Sequence, residues 1–72
     1  MTAHVLQRLA RALGPDAGAR CAAEALQYLR LDDLQTPNDL LRFADYLVAQ
    51  GGITEAVGRA LRITALLRGA GR

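Results

Sequence analysis

The sequence predicts an all-α fold, a compact bundle of about four short helices, and three observations carry that prediction. Ala and Leu dominate the 51% of residues that are hydrophobic, and both lose little side-chain freedom in a helix. Residues that support strands are sparse, with one Phe, two Tyr and no Trp. Glycine and proline fall at intervals that divide the 72 residues into four helical lengths.

The first helix is expected over residues 2–13. Val5, Leu6, Leu9, Ala12 and Leu13 share one face at helical spacing, with His4, Gln7, Arg8 and Arg11 on the other. Gly14-Pro15 ends it, because Pro15 has no amide hydrogen to continue the ladder. The second helix is expected over 16–30, with Pro15-Asp16 suited to a first turn. Its apolar side is Cys21, Ala22, Ala25, Leu26, Tyr28 and Leu29, with Arg20, Glu24 and Gln27 outward. Residues 31–35 read as a connector that Leu31 and Leu34 plug onto the core.

Thr36-Pro37-Asn38-Asp39 is the clearest start signal in the chain. Thr36 fits the N-cap, Pro37 the first helical position and Asp39 the acidic third position. The third helix then runs over 37–50 with Leu40, Phe43, Ala44 and Leu47 inward, and Gly51-Gly52 closes it with residues that reach positive φ without strain. The fourth helix is expected over 54–68. Ile53, Ala56, Val57, Ala60, Ile63, Thr64 and Leu67 form one broad face, and Glu55, Gly58, Arg59 and Arg62 lie opposite. Gly69 to Arg72 reads as a frayed end. Residues 1–72 make one domain, with no repeat and no low-complexity segment.

Charge adds little about partners. The net charge is +2, and all nine basic residues are Arg, which points to a G+C-rich bacterial genome. The middle of the chain is acidic (Asp32, Asp33, Asp39, Asp45) and the end basic (Arg59, Arg62, Arg68, Arg72), a pattern suited to complementarity within or between subunits. The single cysteine excludes an internal disulfide. No segment reads as a signal peptide or as the ~20 apolar residues a membrane span requires, so a cytoplasmic location with no membrane contact is expected.

Catalysis finds no support in the residue types. The chain has no Ser and no Lys, and its one His and one Cys fall on opposite kinds of helix face. Cys21 is expected to be a buried structural thiol and His4 an exposed polar residue. Asp32-Asp33 reads as a solvated or capping pair, and no spacing supplies three or four metal ligands. No phosphate loop is present, since Gly51-Gly52 follows no strand and precedes no Lys. No cofactor and no enzymatic activity are expected.

Two binding readings remain. Helix 3, Gly51-Gly52 and helix 4 have the outline of a helix-turn-helix, with Arg59 and Arg62 outward. The familiar pattern wants a small residue four before the turn glycine and a branched apolar residue six after it. Counting from Gly52 gives Val48 and Gly58, and counting from Gly51 gives Leu47 and Val57, so neither frame satisfies both. Glu55 also sits one turn before Arg59, and the preceding helix is acidic. A DNA-binding regulator using helix 4 is therefore the alternative.

The favoured reading is a non-enzymatic helical interaction or adaptor module that acts as a homo-oligomer and contacts another protein. Gly52, Ala56, Ala60 and Thr64 recur every four residues and make a ridge a helix could approach, the first candidate being helix 1 or 2 of the same chain. Leu41, Tyr46, Val48 and Leu66 look like surplus apolar residues for the contact, with Arg59 and Arg62 as a polar rim that meets Asp32, Asp33 or Asp45 of a partner chain.

Overall fold

The computed structural model describes residues 2–71, and Met1 and Arg72 lie outside the described residues. Four helices fill it: α1 (Thr2–Leu13), α2 (Pro15–Leu29), α3 (Pro37–Gln50) and α4 (Gly52–Leu67), with no strand among the described residues. Successive helices pack closely, and α1 also packs against α4, while the α1–α3 and α2–α4 backbones stay farther apart. The chain is thus two helical hairpins, α1–α2 and α3–α4, closed into a ring of four.

Glycine sets both hairpins. Gly14, at φ 93°, turns the chain into Pro15 and so into α2. Four residues on, a Cβ at Gly18 would lie 2.8 Å from backbone atoms of Leu9 and Ala10. The bare glycine lets α2 cross α1 backbone to backbone. Gly51 and Gly52, at φ 76° and 60°, turn α3 into α4. Gly58 then meets α3, where a Cβ would lie 2.7 Å from the Val48 nitrogen and 2.8 Å from the Ala44 oxygen.

The helix ends are satisfied locally. At α3 the Thr36 hydroxyl accepts from the Asp39 amide at 3.1 Å, and the Asp39 carboxylate accepts from the Thr36 amide at 3.3 Å, the capping box its sequence spells. At the end of α2, Arg30 adopts the left-handed conformation at φ 58°. Its amide donates to the Gln27 carbonyl and the Leu31 amide to the Leu26 carbonyl, so α2 stops at Leu29 rather than at residue 30. Arg42 reaches from α3 to the Leu29 carbonyl at 3.3 Å, placing a cation at the negative end of α2.

The core joins Val5 and Leu9 of α1, Ala22 and Ala25 of α2, Leu40, Phe43, Ala44 and Leu47 of α3, and Leu61 and Ala65 of α4. Leu34 is buried as well, so the connector is plugged by that residue, with Leu31 half-buried beside it. All four inward positions expected on α3 are buried.

Several expectations are corrected. The segment Gly69–Gly71 is not frayed. The Gly69 amide donates to Leu66, the Ala70 amide to Ala65, and the Gly71 amide to the Asn38 side chain at 2.8 Å. This closes α4 with a left-handed glycine and tucks Ala70 into the core beside Ala65. The frayed reading of Arg72 lies outside the described residues. Cys21 is half-buried rather than buried. Tyr28 is 73% exposed, because it lies to one side of the stripe formed by buried Ala22 and Ala25 and half-buried Leu26 and Leu29. Helix 4 starts two residues early and is rotated from the expected phase. Gly58, placed on its outer side by polarity, is buried with Leu61 and Ala65, while Ile53, Ile63 and Leu67 face out. Close approach at Gly58 decides that rotation, since it brings α3 and α4 near enough to bury their backbones.

Candidate functional site

The rotation of α4 creates the most conspicuous surface feature. Ile53, Ala56, Ala60, Ile63 and Leu67 line up along its outer side at alternating spacings of three and four. Ile53 and Ile63 are each 61% exposed and Leu67 82%. Leu66 flanks them at 47%. A helix that buries one face needs no second apolar stripe, so four large aliphatic side chains in water on one element make this face the candidate site.

Helix α1 borders one side of this stripe. Its Arg8, Arg11 and Ala12 form a shallow groove with Ile53, Ala56 and Ala60. The ridge of Gly52, Ala56, Ala60 and Thr64 therefore lies at the edge of the α1–α4 contact, with Gly52 and Ala56 exposed and Ala60 and Thr64 half-buried. The other side of the stripe is edged by Arg59. Its Nη2 lies 2.8 Å from Glu55 Oε2, an exposed pair worth little to stability.

The six residues expected to form an interaction site divide between two places. Leu66 and Arg59 border the α4 stripe, and Arg62 lies next to them, its Nε 3.6 Å from Asp45 Oδ1. The acidic partner expected from another subunit is thus present in the same chain, on α3. Leu41 and Tyr46 are half-buried and pack on the core, and Val48 is half-buried where α3 meets Gly58. Tyr46 stacks on Tyr28 with ring centroids 5.0 Å apart and planes tilted by 40°, a smaller aromatic patch across α2 and α3. Sequence reasoning missed Ile53, Ile63 and Leu67 by spending them on the core. Their spacing of three and four was the available signal.

The polar residues form no reactive cluster. Cys21 has its thiol pKa pushed up, first by burial and then by the nearby Glu24 carboxylate, so it stays protonated at neutral pH. His4 is exposed on α1. Asp33 is a structural group. Its carboxylate accepts from the Thr2 hydroxyl and, at 2.9 Å, from the Leu34 amide, which latches the α2–α3 connector to the start of α1. Those two hydrogen bonds hold its pKa below the usual aspartate value. Among the described residues no group of three or more His, Cys, Asp or Glu is placed to hold a metal ion, and no helix is long and apolar enough to cross a membrane.

No protein-family profile, no curated protein and no solved structure matches the chain.

Proposed function

We propose that this chain is a non-enzymatic helical interaction module that works by docking the outer face of α4 against another helical surface, and that it does so as a homo-oligomer. The observation that carries this reading is the exposed row Ile53, Ile63 and Leu67, at 61%, 61% and 82%. Leaving such side chains in water forgoes roughly 1.5–3 kcal/mol apiece of available burial energy. A domain of this size has little interior to spare, and burying the row between chains recovers that energy.

Sedimentation equilibrium tests the reading. The wild-type mass should rise above one chain as concentration reaches the high micromolar range. Ile63→Asp and Leu66→Asp, both at exposed positions, should remain folded and shift to a single-chain mass. A wild-type mass equal to one chain throughout would remove the oligomer from the proposal. The same samples address the competing reading of α4 as a DNA-recognition helix. Its two outward arginines already face Glu55 and Asp45, which offsets their attraction for phosphate. Duplex binding at about 50 mM salt, weakening steeply as salt is raised, would favour that reading instead.

A further inference from the structure

We infer that the α4 stripe is covered by α4 of a second copy, running antiparallel, in the register that sets Ala60 against Ile63 and Ala56 against Leu67. The inference rests on the interaction-module reading and adds the occupant, its direction and its register.

Shape selects the direction. The spacing of three and four is that of the two seam positions of a helix pair, which meet their counterparts layer by layer. In order the stripe reads large, small, small, large, large: Ile53, Ala56, Ala60, Ile63, Leu67. In a parallel pair each residue meets its own copy. The two alanine layers would then need the backbones close, while the Ile63 and Leu67 layers would hold them apart, leaving voids. Reversing one helix and setting Ala60 against Ile63 of the second copy brings Leu67 against Ala56. Each of these layers then pairs one large with one small side chain at a constant separation. The same register carries Arg59 alongside Leu66 of the second copy, so the arginine's methylene stem covers the last exposed leucine.

Charge adds only the helix dipole to this choice, and the exposed Arg68 at the α4 cap opposes it. Arg8 and Arg11 line the groove beside the N-terminal half of α4, and the ion pairs among the described residues use neither of them. Apart from Arg68 at its cap, α4 has no basic side chain in its last turn. An antiparallel neighbour lays its α4 C-terminus, the negative end of the helix dipole, beside Arg8 and Arg11. A parallel neighbour would lay its positive end there.

Area fits a modest dimer. The open portions of Ile63, Leu66 and Leu67 amount to on the order of 400 Å² per copy, and Ile53 falls opposite position 70, just past the end of the second copy's α4. Ala56 and the stems of Arg8, Arg11 and Arg59 bring each side toward the roughly 800 Å² of a standard specific interface. Such a contact forms and dissociates with concentration.

Disulfide trapping tests the register. Two single-cysteine chains are made in a Cys21→Ala background, Ala56→Cys and Leu67→Cys, one carrying a mass tag. Both sites are exposed, and helical circular dichroism checks the fold of each chain. In the inferred register, cysteines at 56 and 67 of different copies face one another. Two cysteines at the same position lie 11 residues out of register, about 16 Å along the axis and too far for a disulfide. Oxidising a mixture should therefore give the mixed dimer, with each chain alone staying uncrosslinked. Same-position dimers would mean a parallel pair, and a dimer of wild type that gives no crosslink would mean a different face. Either result overturns this inference and leaves the interaction module standing. A wild-type mass of one chain at high micromolar concentration overturns the inference together with the homo-oligomer.

Discussion

At Gly58 an added Cβ would lie 2.7 Å from the Val48 nitrogen and 2.9 Å from the Leu47 Cβ, and none of these neighbours is the mobile end of a side chain. Alanine is worth about 1 kcal/mol more than glycine inside a helix. Forcing α3 and α4 apart costs about 1–3 kcal/mol or more. Gly58→Ala should therefore lower stability despite its better propensity, seen as a reduced urea midpoint. A gain would mean that the helices can separate cheaply. Arg30 presents the reverse case. It holds a left-handed conformation at φ 58°, which costs a side-chain-bearing residue about 1–2 kcal/mol. Glycine removes that strain but loses more entropy on folding, so Arg30→Gly should raise stability by about 0.5–1 kcal/mol in the same assay. Neither role was legible beforehand. A glycine at a helix crossing and a glycine on a wet surface look alike in one sequence. Gly51-Gly52 was legible because two glycines after an apolar stripe have one obvious use, the reversal of the chain.

The elements differ in how far their own residues determine them. Helix α3 is written locally: Thr36, Pro37 and Asp39 lie within four residues, and their capping box forms without help from the rest of the fold. Thr36→Ala should cost about 1 kcal/mol, read from thermal unfolding. In α4 the apolar residues 53, 56, 57, 60, 61, 63, 65, 66 and 67 encircle the helix. Periodicity then fixes that it is a helix but not which side turns inward, and the contact at Gly58 settles the matter. The α2–α3 connector depends on a partner 31 residues away, Thr2, whose hydroxyl donates to Asp33. That bond first, and the Leu34 amide second, lower the Asp33 pKa in the folded chain. A carboxylate with a depressed folded pKa contributes stability that is fully present above its unfolded value, about 3.9, and is lost as pH falls through the lower folded value. Melting temperature should accordingly fall with acidification below about pH 4, and Asp33→Asn should flatten that part of the profile. An unchanged profile in Asp33→Asn would show that the latch contributes nothing to it.

On the scale of the whole molecule, the core is lean. Five of its buried hydrophobic residues are alanines, while Ile53, Ile63 and Leu67 stand outside it. The outer face of α4 could not be read from the sequence for the same reason that the inner face could not, since one rotation sets both. Leu66 and Arg59, expected to point outward, are exposed at its border. A domain with so small an interior is marginal alone, so association through the stripe would also be its reserve of stability. Binding that occurs only in the folded state stabilises it by mass action. For a dimer that dissociates on unfolding, each tenfold rise in concentration above the dissociation constant adds about 0.7 kcal/mol per chain, or about 3–5 °C in melting temperature for a chain of this length. Wild type should melt at progressively higher temperature as it is concentrated. Ile63→Asp should melt at one temperature throughout, matching wild type at its most dilute. A wild-type curve that stays flat into the high micromolar range would mean that the core, lean as it is, carries the fold unaided and that the stripe serves no self-contact.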